Sequence, residues 1–425
     1  MSIRLLHALC VVGLISSTAA ADNWPNWRGP TNNGLCAEKN LPTQWSTTKN
    51  VVWKLPLPGP AGSTPVVWDD HVFLTSVDAD GRLLLIAIGT DGKELWRKTV
   101  DQGNKEVRGD EGNSASPSPL TDGKFVWTMM ANGMLACFDF DGKEIWKFNI
   151  EDRYGKLNIA FGMTSTPVLD DGVLYLQLIH GEGDPQTREA CVVALNAADG
   201  KEIWRVDRPS DGRAENEHSY ASPMMYVDDT QKFLLTHGAD YIVAHRLTDG
   251  SEIWRCGELN KKAKYDPTLR FVASPAAIPG LIMVPTAKGA PIVALKPNGK
   301  GDVTADPKIR IWEYNRTPDV PSPLIADGIV YLCMENGNLT TLRAETGEEI
   351  YTKRTNPQRH RASPILADGK LYLTARDGRV TVVKAGEEFE ILAENELGED
   401  MSSSPAFANG TIYLRTFDHL WAIRE

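Results

Sequence analysis

Seven polar residues in short, turn-rich segments are the candidates for chemistry in this sequence. They are His180, His218, His237, Arg270, His360, Arg361 and Asp377. Imidazole nitrogens bind transition metals, and guanidinium groups bind carboxylates and phosphates. We predict that the seven residues line one surface that binds a polar ligand of mixed charge. The alternatives are a metal site formed by His180, His218 and His237, its metal unknown, and a solvated rim with no ligand.

Motifs of known enzyme classes are missing from the sequence. It contains no glycine-rich phosphate loop, no G-x-S-x-G elbow and no H-E-x-x-H helix. Of its six cysteines, the five that follow Cys10 form no C-x-x-C pair, and an odd number leaves at least one thiol unpaired. We interpret these cysteines as structural. The sequence favours a binding protein over an enzyme, and we predict no catalytic residue.

An internal repeat determines where the candidate residues lie. Each repeat contains a Ser or Thr near a Pro, a turn with Gly, an aromatic strand and a final strand with an aromatic residue. The repeat prolines are Pro65, Pro119, Pro167, Pro223, Pro275, Pro323, Pro364 and Pro405. Their spacing of 41 to 56 residues is the period of a four-stranded propeller blade.

A large side chain recurs in the fourth strand of each repeat. The positions are Trp53, Trp96, Trp146, Trp204, Trp254, Trp312, Tyr351 and Ile391. Asp-Gly turns precede several of them and supply the positive φ that tight hairpins require. Apolar residues do not recur at the helical spacing of three and four. We therefore predict an all-β fold, an eight-bladed β-propeller of four-stranded antiparallel blades.

The two ends of the sequence complement each other. Trp53 lies in a fourth strand with no three strands before it, and residues 405–423 supply three strands with no fourth after them. Pairing residues 51–54 with the C-terminal strands completes the eighth blade and removes an exposed edge. In such a ring, the loops between fourth and first strands share a face with those between second and third strands. We expect the seven candidate residues on that face.

The N-terminal residues predict export. Residues 1–21 combine Arg4, roughly 11 apolar residues and an Ala-Ala-Ala cleavage site, a pattern typical of a signal peptide and too short to span a bilayer. We expect residues 22–50 to form an arm and residues 51–425 the propeller. The formal net charge of −11 repels phosphate backbones, so we expect no nucleic acid partner. We predict a periplasmic or extracellular monomer that does not span the membrane.

The turns at residues 91–96, 141–146 and 199–204 read Asp-Gly-Lys-Glu-x-Trp and resemble the PQQ-like repeat. The opening Trp-Pro-Asn-Trp-Arg-Gly-Pro at residues 24–30 is similar to that of secreted bacterial proteins with this repeat. The family includes the outer-membrane assembly lipoprotein BamB and the quinoprotein dehydrogenases. Resemblance to BamB implies a scaffold that binds a protein or a cell-envelope polymer, with no cofactor. Resemblance to the dehydrogenases implies PQQ with calcium.

The residues of this sequence favour the first of these two implications. The dehydrogenases hold PQQ under an adjacent Cys-Cys disulfide and hold calcium with Glu and Asn beside an Asp base. This sequence has no Cys-Cys pair, and no Glu-Asn-Asp set matches a motif in it. We therefore expect an exported, non-catalytic binding or scaffold propeller in the cell envelope. The alternative is a PQQ-dependent or other small-molecule oxidoreductase that uses the central funnel.

Overall fold

Each repeat of the sequence forms one four-stranded sheet in the computed structural model, which describes residues 23–107, 112–157, 159, 162–179 and 190–425. Strands form because β-branched and aromatic residues alternate with tight turns of positive φ, as at Asp171–Gly172. Eight such sheets follow one another around a ring, and this confirms the predicted eight-bladed propeller.

The first four blades follow the arm. Blade 1 contains Val66–Trp68, His71–Val77, Arg82–Gly89 and Glu94–Gln102. Blade 2 contains Leu120–Thr121, Phe125–Met129, Met134–Asp139 and Glu144–Asn149. Blade 3 contains Val168–Asp170, Val173–Leu178, Cys191–Asn196 and Glu202–Asp207. Blade 4 contains Met224–Val227, Lys232–Gly238, Tyr241–His245 and Glu252–Cys256, with Gly301–Asp302 paired to its outer edge.

The other four blades complete the ring. Blade 5 contains Ala276–Ile278, Leu281–Val284, Ile292–Leu295 and Arg310–Tyr314. Blade 6 contains Leu324–Ala326, Ile329–Cys333, Asn338–Arg343 and Glu349–Arg354. Blade 7 contains Ile365–Ala367, Lys370–Thr374, Arg379–Lys384 and Ile391–Glu396, and Leu35–Cys36 of the arm pairs with its first strand. Blade 8 contains Ala406–Ala408, Thr411–Arg415, His419–Ile423 and Val51–Pro56.

The helices within the described part of the chain are few and short. Glu151–Tyr154 is α-helical, and Ala214–Glu217 and Lys262–Lys264 are 3-10 turns. No helix among the described residues is both long and apolar enough to cross a membrane.

The eighth blade joins the two ends of the chain, as predicted. Val51–Pro56 pairs antiparallel with His419–Ile423, and Trp53 lies opposite Ala422. The Lys54 ammonium lies 2.8 Å from a Glu399 carboxylate oxygen and 4.1 Å from the Trp421 ring centroid. Strand pairing and these side-chain contacts together close the ring.

Tryptophans of the fourth strands join six of the eight blades to the next blade. The Trp146 Nε1–H donates to the Ala197 carbonyl of blade 3 at 3.0 Å. Its ring lies against Gly200, where a Cβ atom would approach to 2.9 Å and where φ is +67°. The same indole-to-carbonyl bond recurs at Trp53, Trp96, Trp204, Trp254 and Trp312. We call these six residues, Trp146 included, the seam tryptophans. The glycine of the repeat turn is therefore required by both its φ and the neighbouring indole.

Blade 7 departs from the predicted pattern. Ile391 does not occupy the tryptophan position: it pairs with Val383 and is 37% exposed, while Ala393 lies opposite Val382 in the equivalent register. The arm supplies the missing aromatic side chain, because Trp45 stacks on Tyr372 with ring centroids 6.3 Å apart. The equivalent distance between Tyr175 and Trp204 is 5.9 Å. The prediction of Ile391 was wrong because the substitute comes from a residue distant in sequence.

Truncation of a seam tryptophan tests this packing. Trp254 is fully buried and bonds Pro297, so Trp254→Ala should lower the free energy of unfolding by about 3–5 kcal/mol in urea titrations. Leu95→Ala, at a 49% exposed position, is the control and should change it by less than about 0.5 kcal/mol. Equal effects of the two changes would contradict the packing described.

Candidate functional site

The Ser or Thr before each repeat proline belongs to a closed ring of hydrogen bonds around the axis. The backbone N–H of this residue donates to the side-chain hydroxyl of its equivalent in the next blade, over 2.9 to 3.2 Å. In order, the members are Thr64, Ser118, Thr166, Ser222, Ser274, Ser322, Ser363 and Ser404, whose N–H returns to Thr64. We call this the hydroxyl ring.

An axial cavity of about 1210 Å³, counting its open mouth, lies inside the hydroxyl ring. All eight ring residues line it, together with residues of the loops that lead from each fourth strand to the next first strand. Asn113, Tyr220 and Val320 are among the loop residues. The eight blades thus position one site that no single blade forms.

The N-terminal arm forms the floor of this cavity. Trp24 forms a β-bridge with Val67 of blade 1, while the Arg28 guanidinium donates to the Pro323 carbonyl of blade 6 at 2.7 Å. The arm therefore crosses from one side of the ring to the other. Trp27, between these two anchors, lines the cavity. Because the arm crosses here, the cavity is open mainly at the opposite, loop-bearing face.

Two of the seven predicted residues line the cavity. The Arg270 Nη1 lies 2.9 Å from a Glu215 carboxylate oxygen, and the Arg361 Nη1 lies 2.7 Å from one of Glu335. Each guanidinium is thus held by a carboxylate while it borders the cavity. The mouth combines both signs of charge, which suits a polar ligand.

A carboxyl pair lies beside Arg361. Asp319 lines the cavity, and burial together with the charge of Asp319 raises the pKa of Glu335. The Lys288 ammonium lies 3.8 Å from Asp319 and 3.9 Å from Glu335. Glu335 therefore tends to retain a proton above the ordinary range of a carboxyl group.

The described histidines of the predicted set lie away from the cavity lining. His237 is fully buried and its ring lies 5.1 Å from that of Phe271, so burial lowers its pKa to about 3. His360 is also buried, with Nδ1 2.9 Å from the Gln358 carbonyl, and burial lowers its pKa. His218 ends the 3-10 turn Ala214–Glu217. The strands that hold His237 pack it inward, whereas the sequence pattern placed it in a loop.

The remaining predicted residues are Asp377 and His180. The Asp377 carboxylate lies 3.6 Å from Arg379 Nε and outside the cavity lining, and His180 lies outside the described residues. Within the described part of the chain, no group of three or more His, Cys, Asp or Glu side chains could hold a metal ion. The metal site that includes His180 stays a prediction.

Sequence reasoning missed the hydroxyl ring and the floor. The signal for the ring was present in the eight Ser/Thr–Pro pairs, which we used only to count blades. Trp27 and Arg28 belong to the opening motif, which we used only as a family resemblance. Hydrogen-bond partners 41 to 56 residues apart around a ring, with a 340-residue separation at its closure, cannot be identified from sequence spacing alone.

The described lining does not fit PQQ with calcium as the dehydrogenases hold it. Asp319 is the only carboxylate among the described residues that line the cavity. Calcium binds six to eight oxygen ligands and uses several carboxylates. The five cysteines of the propeller and arm are free thiols, and four of them are buried. An adjacent disulfide is therefore not formed by them.

The ring of eight blades, with its repeat turns and seam tryptophans, is a propeller of the PQQ-like repeat class. A family model described as outer membrane protein assembly factor BamB matches residues 37–176 and 131–387. These ranges span more than half of the chain, and the protein belongs to that family. No curated protein is significantly similar to the chain in sequence.

Solved structures share the fold at low sequence identity. BamB from Moraxella catarrhalis is 12% identical with a TM-score of 0.61, and the match covers 88% of this chain and 97% of that one. A europium-containing methanol dehydrogenase is 11% identical with a TM-score of 0.70, covering 92% and 89%. Quinohemoprotein alcohol dehydrogenase ADHIIG from Pseudomonas putida HK5 is 11% identical with a TM-score of 0.65, covering 95% and 80%. These likenesses show the fold alone.

A buried carboxyl on the mouth-side hairpin of blade 4 predicts a pH dependence. Burial raises the pKa of Asp240 to about 7, although its carboxylate accepts the Asn260 N–H. The folded chain therefore retains a proton that the unfolded chain releases near pH 4, so stability falls as pH rises from about 4 to about 7. Over this pH range, the free energy of unfolding of Asp240→Asn should fall less than that of the parent, by on the order of 2 kcal/mol. The measurement is the free energy of unfolding from urea titrations at pH 4.5 and 7.5. An equal decrease between these pH values in Asp240→Asn and in the parent would contradict this.

Proposed function

We propose that this protein is an exported, non-catalytic binding propeller of the cell envelope that holds a polar ligand group in its axial cavity. The observation that supports this most strongly is the construction of the cavity. Eight hydroxyl-bearing residues form its wall, Trp27 lies at its floor, and ion-paired arginines border its mouth. Rigid scaffolds with polar loops at one face are the usual setting of binding sites.

The ligand-binding surface is the loop-bearing face that we predict from His180, His218, His237, Arg270, His360, Arg361 and Asp377. Arg270 and Arg361 line the cavity directly, and we assign ligand contact to them first. His237 and His360 are buried, so we assign them to packing beside the cavity rather than to ligand contact.

The partner that fits this cavity is a protein or a cell-envelope polymer. Because the arm crosses one end, a polymer would enter with a terminus or a side group rather than thread through the ring. The family name associates BamB with outer-membrane assembly, which supports an envelope location. We propose that the mature protein is a periplasmic or extracellular monomer released from a signal peptide.

The oxidoreductase alternative has a weaker basis. Two structural neighbours are alcohol or methanol dehydrogenases, and they share the propeller fold. The described lining offers a single carboxylate and no cysteine pair for a quinone site of their kind. Binding without catalysis accounts for the arrangement with fewer requirements.

Native mass spectrometry tests the binding function. Protein purified from its native envelope fraction should carry a bound molecule that adds mass to the folded chain. The fraction of protein that carries this molecule should be at least tenfold lower in the Arg270→Ala/Arg361→Ala double variant, because both guanidiniums border the cavity. Arg246→Ala is the control and should retain it, since Arg246 lies in an exposed turn at the opposite face.

Two outcomes would overturn the proposal. A bound molecule that is lost equally from the double variant and from Arg246→Ala would place the site elsewhere. Alcohol oxidation coupled to a dye after addition of PQQ and Ca²⁺, abolished by the double variant, would establish the oxidoreductase alternative instead.

A further inference from the structure

Hydroxyl groups dominate the wall of the axial cavity. Of the 24 described residues that line it, twelve carry a hydroxyl group and only three carry a charge. Eight of the twelve form the hydroxyl ring, and the other four are Ser116, Thr164, Tyr220 and Ser402. A hydroxyl group both donates and accepts hydrogen bonds. The wall therefore matches a ligand that is itself rich in hydroxyl groups.

The hydroxyls of the ring each have a proton to donate. Each accepts a backbone N–H, and none donates to an acceptor within the described part of the chain. The ring residues line the cavity but are only 2–6% exposed, so the wall and the N–H bonds fix their positions. Groups that are already fixed lose little conformational entropy when a ligand binds.

Three further hydroxyls of the lining are more accessible. Thr164 is exposed, and Ser116 and Ser402 are partly exposed. They lie outside the hydroxyl ring, in the loops that lead to the first strands of the blades. A ligand that enters from the open mouth can therefore reach hydroxyl groups before it reaches the ring.

Trp27 adds an aromatic surface to these hydroxyls. It is partly exposed and lines the cavity, whereas its Nε1 atom is buried. The side chain therefore offers carbon atoms, rather than its N–H, to the cavity. The ring of a pyranose sugar carries C–H groups on its faces and hydroxyls at its edge. Such a ring packs a face against an indole while its edge bonds to hydroxyls and guanidiniums.

The charges of the lining favour a ligand without net charge. Arg270 is held by Glu215 at 2.9 Å and Arg361 by Glu335 at 2.7 Å. Asp319 bonds to Glu335 and lies 3.8 Å from the Lys288 ammonium. Each charge thus has an opposite charge of the protein beside it, and a neutral ligand leaves these pairs intact. The N–H groups of a paired arginine can still donate to sugar oxygens, because a guanidinium has five of them.

The backbone of the wall does not favour a peptide. At the eight ring positions, the N–H group is already bonded to a hydroxyl of the next blade. The residue that follows each of them is a proline, which has no N–H. An extended peptide binds a sheet edge through main-chain hydrogen bonds, and these positions supply no main-chain donor for it.

We infer that the axial cavity binds a neutral pyranose unit of a cell-envelope glycan, between Trp27, the accessible hydroxyls and the hydroxyl ring. The volume of about 1210 Å³, counting the open mouth, is sufficient for one or two sugar units, since pockets of roughly 300–1,000 Å³ bury most of a drug-sized ligand. This inference rests on the proposed binding function and specifies the chemical class of the ligand.

An array of immobilised neutral oligosaccharides, uronic-acid oligosaccharides and peptides tests the inference. The mature protein should bind neutral oligosaccharides with a terminal pyranose at least tenfold more tightly than the other two classes. The neutral oligosaccharide that binds best then serves as the free ligand in isothermal titrations of the variants.

The variants separate the aromatic surface from the hydroxyls. Trp27→Ala should weaken binding at least tenfold, whereas Trp27→Phe, which keeps an aromatic face, should stay within about threefold of the parent. Ser402→Ala should weaken binding roughly threefold to tenfold, because it removes one accessible hydroxyl outside the ring. Trp68→Ala is the matched control and should bind as the parent does, since Trp68 is also partly exposed but lies outside the described lining.

Three outcomes would overturn the inference: tighter binding of peptides or uronic-acid oligosaccharides, no binding of any neutral oligosaccharide, or unchanged affinity in both Trp27→Ala and Ser402→Ala. If Trp27→Ala folds poorly, Trp27→Phe and Ser402→Ala still decide the question. The binding function is judged separately. If the parent carries a native ligand that the Arg270→Ala/Arg361→Ala variant loses, that function stands even when saccharide binding fails.

Discussion

The hydroxyl ring is the constraint on which the rest of the structure depends. Each blade offers one backbone N–H and one hydroxyl near the axis, and each bond crosses from one blade to the next. The proline that follows has no N–H to donate and directs the chain into the first strand. Eight such units close on themselves only when Ser404 reaches Thr64. The last blade must then borrow Val51–Pro56 from the other end of the chain.

The seam tryptophans and the arm act around this inner ring. In six of the eight blades, an indole fixes the outer part of the blade to the turn of its neighbour, through one hydrogen bond and close contact with a glycine. The arm crosses the axis, supplies Trp45 to blade 7 and places Trp27 and Arg28 beneath the ring. The groups that close the propeller therefore also enclose its cavity.

The sequence was sufficient for the fold and only partly sufficient for the site. Periodic prolines and tryptophans repeat a local rule, so blade number and ring closure could be predicted. The register of blade 7 could not be predicted. Its aromatic side chain comes from Trp45 in the arm, which lies about 350 positions from Ala393 in the sequence. The pattern placed Arg270 and Arg361 in loops that lead to the axis, and both line the cavity. It also placed His237 in a loop, but the strand Lys232–Gly238 extends far enough to bury it.

Urea unfolding of Ser274→Ala tests the hydroxyl ring most directly. The change leaves the Ser222 N–H buried without its acceptor, and we predict a loss of about 1–3 kcal/mol in the free energy of unfolding. Ser274→Thr, which restores a hydroxyl of the kind that Thr64 and Thr166 already supply to the ring, should lie within about 0.5 kcal/mol of the parent. Equal stability of the alanine variant and the parent would contradict the account.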